Sequence, residues 1–74
     1  MTKLPSMTGK KIVEALEKAG FQTIRQKGSH VYLRHPDGRA SVIPVHRGES
    51  IGRGLLRKIL RDVEISREEF LNLL

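Results

Sequence analysis

A chain of 74 residues with 14 Lys/Arg against 8 Asp/Glu, formally +6, has room for one small domain spanning residues 1–74 and a field that favours polyanionic partners. The lack of cysteine excludes disulfides and thiolate metal sites and fits a reducing, cytoplasmic setting. No apolar run approaches the roughly 20 residues of a membrane span, and Met1-Thr2-Lys3-Leu4-Pro5 has no apolar signal-like stretch, so no membrane partner is expected.

Residues 1–6 read as a short arm, because Pro5 forbids a helix through it. Thr8 then reads as an N-cap, with Met7 and Ile12 placed as a hydrophobic staple. Ile12, Val13, Ala15, Leu16 and Ala19 share one helical arc, Lys10, Lys11, Glu14, Glu17 and Lys18 the other, and Gly20 terminates the turn. The spacing predicts a helix over 9–19. Phe21 to Lys27 predicts a first strand of imperfect alternation, because Phe21 and Ile24 have opposite parity. Gly28-Ser29 is a tight turn. His30 to Arg34 is strictly period-two, with Val31 and Leu33 on one face and His30, Tyr32 and Arg34 on the other. His35-Pro36-Asp37-Gly38 is turn chemistry, and Arg39 to Val45 predicts a third strand, with Ile43 and Val45 on one face. Pro44 cannot donate to a ladder, which makes this an edge strand or the point where pairing ends.

After the polar loop from His46 to Ser50, Ile51 and Leu56 staple a second helix, capped at Gly52 and running over about 53–62. Leu55, Leu56, Ile59, Leu60 and Val63 form its apolar arc, and Arg53, Arg57 and Arg61 a ridge on the other side. Ser66 and Glu69 form a capping box, with Ile65 and Phe70 as staple, for a short last helix over about 67–73. The order is α-β-β-β-α plus a terminal helix. This is an α+β fold in which a three-stranded antiparallel sheet has helices on one face and the other face open.

The chemistry centres on Lys27-Gly28-Ser29-His30-Val31-Tyr32. RNA carries its own nucleophile, the 2′-hydroxyl, and is cleaved without metal when one group removes that proton and another assists the leaving oxygen. Cations nearby stabilise the growing phosphorane charge. His30 is the candidate acid or base, and Lys27, Arg25 and Arg34 are candidate cations. Tyr32 is placed to orient phosphate or stack on a base, Ser29 to donate a hydrogen bond, and Gly28 to let backbone approach phosphate. By itself, a strand-edge histidine beside a Gly-Ser pair is more often without a catalytic role. A serine nucleophile is rejected, because Ser29 and His30 are adjacent and point apart on a strand. Three histidines (His30, His35, His46) without cysteine form a sparse ligand set with no metal-binding spacing, so no metal or cofactor is expected. Arg53, Arg57 and Arg61 are suited to RNA phosphates or to an acidic protein. Three aromatics argue against recognition by successive base stacking.

Taken together, Lys3-Leu4-Pro5, Thr8-Gly9, Leu16-Glu17-Lys18-Ala19-Gly20-Phe21, Arg25-Gln26-Lys27-Gly28-Ser29-His30, Arg34-His35-Pro36-Asp37-Gly38-Arg39, Ile43-Pro44-Val45-His46, Gly54 to Arg61 and Ser66-Arg67-Glu68-Glu69-Phe70 resemble the HicA toxin family. The family consists of small mRNA-cleaving ribonucleases of type II toxin–antitoxin pairs. The resemblance implies a double-stranded-RNA-binding-domain-like fold and metal-independent mRNA cleavage with His30 catalytic. It puts Gly28 on a second position often required in the family. It also implies a HicB-type antitoxin that covers the histidine. Arg53-Gly54-Leu55-Leu56 departs from the family's usual Pro-Gly-Thr-Leu, outside the catalytic motif. The alternatives are a non-catalytic double-stranded-RNA-binding module and a pure protein-interaction module. Tyr32, Lys27 and His46 are all eligible as the second proton-transfer group.

Overall fold

The computed structural model describes residue 4 and residues 6–74. The expected arm falls mainly on residues outside this set, Lys3 and Pro5 among them, but Leu4 is buried in the core. The elements in chain order are β1 (Met7–Thr8), α1 (Gly9–Lys18), β2 (Gln22–Lys27), β3 (His30–Arg34), β4 (Ala40–Pro44), β5 (Ser50–Ile51), α2 (Arg53–Asp62) and α3 (Arg67–Asn72). The main sheet is antiparallel in the order β2-β3-β4, and β1 pairs with β5 in a separate two-residue ribbon. This is the predicted double-stranded-RNA-binding-domain-like α-β-β-β-α order, with the ribbon added. Among the described residues no helix is long and apolar enough to cross a membrane.

The caps form as their residue types dictate. Thr8 Oγ1 accepts from the Lys11 N–H at 3.3 Å. Ser66 Oγ accepts from the Glu69 N–H, and Glu69 accepts in return from the Ser66 N–H, each at 3.1 Å. That backbone donor holds the Glu69 carboxyl below its ordinary range. Gly52 caps α2 without a side chain, and Gly20 leaves α1 at φ 100°. A Cβ on Gly20 would also meet the His35 ring, 2.9 Å from Nε2.

One cluster forms the core: Ile12, Ala15 and Leu16 of α1, Val31 and Leu33 of β3, Ile43 of β4, Leu56, Ile59 and Leu60 of α2, with Phe21, Val63 and Phe70. Both helices therefore cover the Val31/Leu33/Ile43 face, as expected. Two departures concern this face. Leu55 was assigned to the apolar arc of α2, but it is 39% exposed. At 100° per residue it lies about 90° from the centre of the arc set by Leu56, Ile59, Leu60 and Val63. Ser41 is buried where a strand pattern would place an apolar residue, and its hydroxyl donates to Asp62 Oδ2 at 3.2 Å.

The turn after β3 is built on its side chains. The Asp37 carboxylate accepts from the Arg39 N–H at 3.0 Å and from Arg39 Nε at 2.8 Å, and the backbone donor foremost holds its pKa below the usual carboxylate range. Arg39 also donates to the Val63 carbonyl at 2.7 Å, tying the turn to the end of α2. His35 packs edge-on against Phe21, with ring centroids 5.1 Å apart, and accepts the Asp37 N–H at Nδ1 at 3.1 Å. The same nitrogen lies 3.1 Å from Asp37 Oδ2, an attraction only for a protonated ring. Accepting the Asp37 N–H at Nδ1 satisfies that backbone donor.

The tightest approach lies where α1 begins. A Cβ on Gly9 would run into the Pro44 carbonyl oxygen, whereas one on Gly54 would meet nothing within 4 Å. Gly9→Ala is expected to lower stability by about 2 kcal/mol through overpacking. Gly54→Ala is expected to raise it by about 0.5–1 kcal/mol through helix propensity. Urea unfolding of the two variants measures both, and equal effects would contradict the packing at Gly9.

Candidate functional site

Hairpin register decides which side chains share a face with His30. The loop between β2 and β3 is two residues, Gly28 and Ser29, so Lys27 stands opposite His30 and Arg25 opposite Tyr32. Gly28 has φ 58°, the positive value that a two-residue hairpin takes at its first central position. Directly opposed residues point to the same face of a sheet. Arg25, Lys27, His30, Tyr32 and Arg34 therefore lie together on the face that the helices leave uncovered.

Phe21 is 2% exposed and packs with the opposite, helix-covered face. In a regular strand Phe21 and Arg25, four apart, would share a face. The strand escapes this by an irregularity between Thr23 and Arg25, with Ile24 as the extra residue. Thr23 pairs with Leu33 before it and Arg25 with Tyr32 after it. Ile24 itself is 58% exposed. This bulge accounts for the parity break between Phe21 and Ile24.

Within the cluster, Lys27 and His30 are direct cross-strand neighbours, with Cβ atoms about 5 Å apart, and Arg25 is diagonal to His30 at about 7–8 Å. Arg25 Cζ lies 4.7 Å from the Tyr32 ring centroid, a cation–π contact. Lys27, His30 and Arg34 are exposed and Tyr32 is half-buried.

The other side of His30 is equally defined. Pro44 pairs with it across β4, and the Val45 N–H donates to the Ser29 carbonyl at 2.6 Å, so pairing ends one residue past the proline. His46 follows directly and is exposed. Gly9, packed on Pro44, brings the start of α1 to this end of the sheet, and the β1–β5 ribbon adjoins it.

Arg53, Arg57 and Arg61 do not join this cluster. Their helix packs on the covered face, whereas His30 lies on the open one. The direction of α2 separates them further. Asp62 meets Ser41, and Val63 meets Arg39, at the Arg34/Ala40 end of the sheet. The helix therefore starts near the His30 end, and Arg61 lies about 12 Å along its axis from Arg53. Of the three, Arg53 is nearest the His30 end. Val42, which sequence reasoning did not single out, is 39% exposed and pairs with Tyr32, so it belongs to the open face. Strand parity with Pro44 and Ala40 was the signal that marks it.

Among the described residues no three His, Asp or Glu side chains are grouped to hold a metal ion. What the open face offers instead is a histidine flanked by two cations, set on a rigid sheet and open to a large ligand.

No curated protein matches the chain. A family model described as HicA toxin of bacterial toxin-antitoxin matches residues 9–65, from the first residue of α1 to just past α2. The match contains the whole open-face cluster.

Nothing lies within 4 Å of a Cβ built at Gly28, so only the positive φ opposes a side chain there. Gly28→Ala is expected to fold and to lose about 1–2 kcal/mol in urea unfolding. A loss near zero would contradict the turn conformation that sets the register.

Proposed function

The chain belongs to the HicA toxin family, and from that membership we propose that this toxin is an endoribonuclease that cleaves mRNA with His30, without metal or cofactor. The family supplies an antitoxin partner, and we assign it to the HicB type, covering the open face of the sheet and with it His30. Both act in the cytoplasm in this reading. The observation that carries it is the shared face of Arg25, Lys27 and His30, fixed by the hairpin register.

The chemistry follows from those groups. RNA approaches the basic open face, and a phosphate settles between Lys27 and Arg25. Arg34 continues the positive track along the open face, Arg53 extends it from the His30 end, and Gly28 and Ser29 border it at the hairpin. The His30 imidazole removes the 2′-hydroxyl proton, or returns one to the leaving 5′-oxygen. The 2′-oxygen attacks phosphorus, the P–O5′ bond breaks, and the products are a 2′,3′-cyclic phosphate and a 5′-hydroxyl. Lys27 and Arg25 neutralise the charge that grows on the non-bridging oxygens. Arg57 and Arg61 lie on the far side of the sheet and are left to RNA outside the scissile nucleotides or to the antitoxin.

His30→Ala is expected to lower cleavage by about 10²–10⁴-fold, the usual worth of a positioned acid–base group, while thermal unfolding and RNA binding persist. A substrate carrying a single 2′-O-methyl group at the scissile nucleotide is expected to survive there. Cleavage by His30→Ala at the wild-type rate, or at the methylated position, would refute the scheme. Salt-sensitive binding with no cleavage by wild type would favour a non-catalytic RNA-binding module.

A further inference from the structure

We propose that Tyr32 is a positioning residue that acts on RNA through Arg25, and is neither the second proton-transfer group nor a base-stacking platform. The inference rests on the ribonuclease reading above and names the work of one more residue within it.

The register places Tyr32 between Arg25 on β2 and Val42 on β4. The Arg25 guanidinium carbon is 4.7 Å from the ring centroid. That ring face is occupied, and a nucleobase could stack there only by displacing a cation. Among the described residues Arg25 has no carboxylate partner, since the ion pairs formed engage Asp37 and Asp62. Its N–H donors therefore remain for a phosphate while the flat guanidinium rests on the ring. The bulge residue Ile24 immediately precedes Arg25, and every β2 residue is exposed. An arginine on such a strand would sample many rotamers, and the ring selects those that lie over Tyr32 on the open face. Arg25 thus meets RNA already oriented, with less ordering left to complete on binding. The requirement on position 32 is an aromatic face; the hydroxyl is not part of it.

Tyr32→Phe and Tyr32→Leu separate the alternatives, with Arg25→Ala and the Arg25→Ala/Tyr32→Leu pair completing a double-mutant cycle. Two readouts apply: cleavage of an RNA oligonucleotide from about pH 5 to pH 9, and anisotropy with the fully 2′-O-methylated oligonucleotide, which needs no cleavage. Tyr32→Phe is expected to stay within about threefold of wild type with an unchanged pH profile, since cation–π attraction survives. Tyr32→Leu is expected to lose about tenfold in both readouts and to lose nothing more once Arg25 is alanine. Arg25→Lys, exposed and harmless to folding, is expected to lose as much as Tyr32→Leu, because an ammonium keeps the charge without the plane. A Tyr32→Phe variant that loses cleavage with an altered alkaline limb would make the hydroxyl a proton donor and overturn the proposal. Additive losses for Tyr32→Leu and Arg25→Ala would make the ring an independent contact and overturn it equally. Absence of cleavage in wild type with coupling intact in the binding cycle would refute the ribonuclease reading alone.

Discussion

Phe21, just before β2, and Arg25 within it make incompatible demands, and the site depends on how the backbone reconciles them. Phe21 must enter the core, where it is 2% exposed, and Arg25 must stand opposite Tyr32 on the other face. The two-residue turn at Gly28-Ser29 sets the second condition, because it pairs Lys27 with His30 and counts back from there. Close packing sets the first. A strand with period two cannot satisfy both over four residues, and the extra residue Ile24 resolves the conflict. Were Ile24 instead paired in a regular ladder, keeping Phe21 buried would turn Arg25 and Lys27 to the helix-covered side. A basic histidine face thus arises from a turn, a core aromatic and one unpaired isoleucine.

The scaffold around this face is concentrated at one end. Gly9 against Pro44, the β1–β5 ribbon and the Val45 to Ser29 hydrogen bond all act where β3 begins. The opposite end is tied by Arg39 and Asp37 in the turn and by Ser41 with Asp62 under α2. His30 is therefore anchored on a paired strand flanked on both sides, although its own side chain is open to solvent. Rigid backbone with exposed functional groups suits a substrate as large as RNA, which supplies its own nucleophile and lies across a surface.

Most of the fold was legible because its signals are local. Thr8, Ser66 and Glu69 cap the helices, the Gly28-Ser29 and Pro36-Asp37-Gly38 turns separate the strands, and the strict alternation of His30 to Arg34 survives intact. The break in parity between Phe21 and Ile24 was visible too, but a break does not say which residue leaves the ladder until a partner strand is present. The β1–β5 ribbon was not legible, since two-residue strands carry no periodicity. Leu55 misled because an apolar side chain at the margin of a helical arc reads like one at its centre. For the site, parity alone grouped His30, Tyr32 and Arg34. Joining Arg25 and Lys27 to them needed the register, and separating Arg57 and Arg61 needed the direction of α2. The resemblance to the HicA family was carried by motifs distributed along the chain, and the family match over residues 9–65 bears it out.

The central claim is that position in the β2 register, not net charge, makes the face competent for RNA. Cleavage by two register variants tests it most directly, with circular dichroism as the check on folding. Deleting Ile24 removes the bulge yet leaves Arg25 opposite Tyr32 and Lys27 opposite His30. Exchanging residues 24 and 25, as Ile24→Arg with Arg25→Ile, keeps composition and charge but puts isoleucine opposite Tyr32. The deletion is predicted to cleave RNA within about threefold of wild type, and the exchange to lose about tenfold or more, the worth of one oriented cation at a reacting phosphate. A folded exchange variant as active as wild type, or a folded deletion variant without activity, would contradict the account.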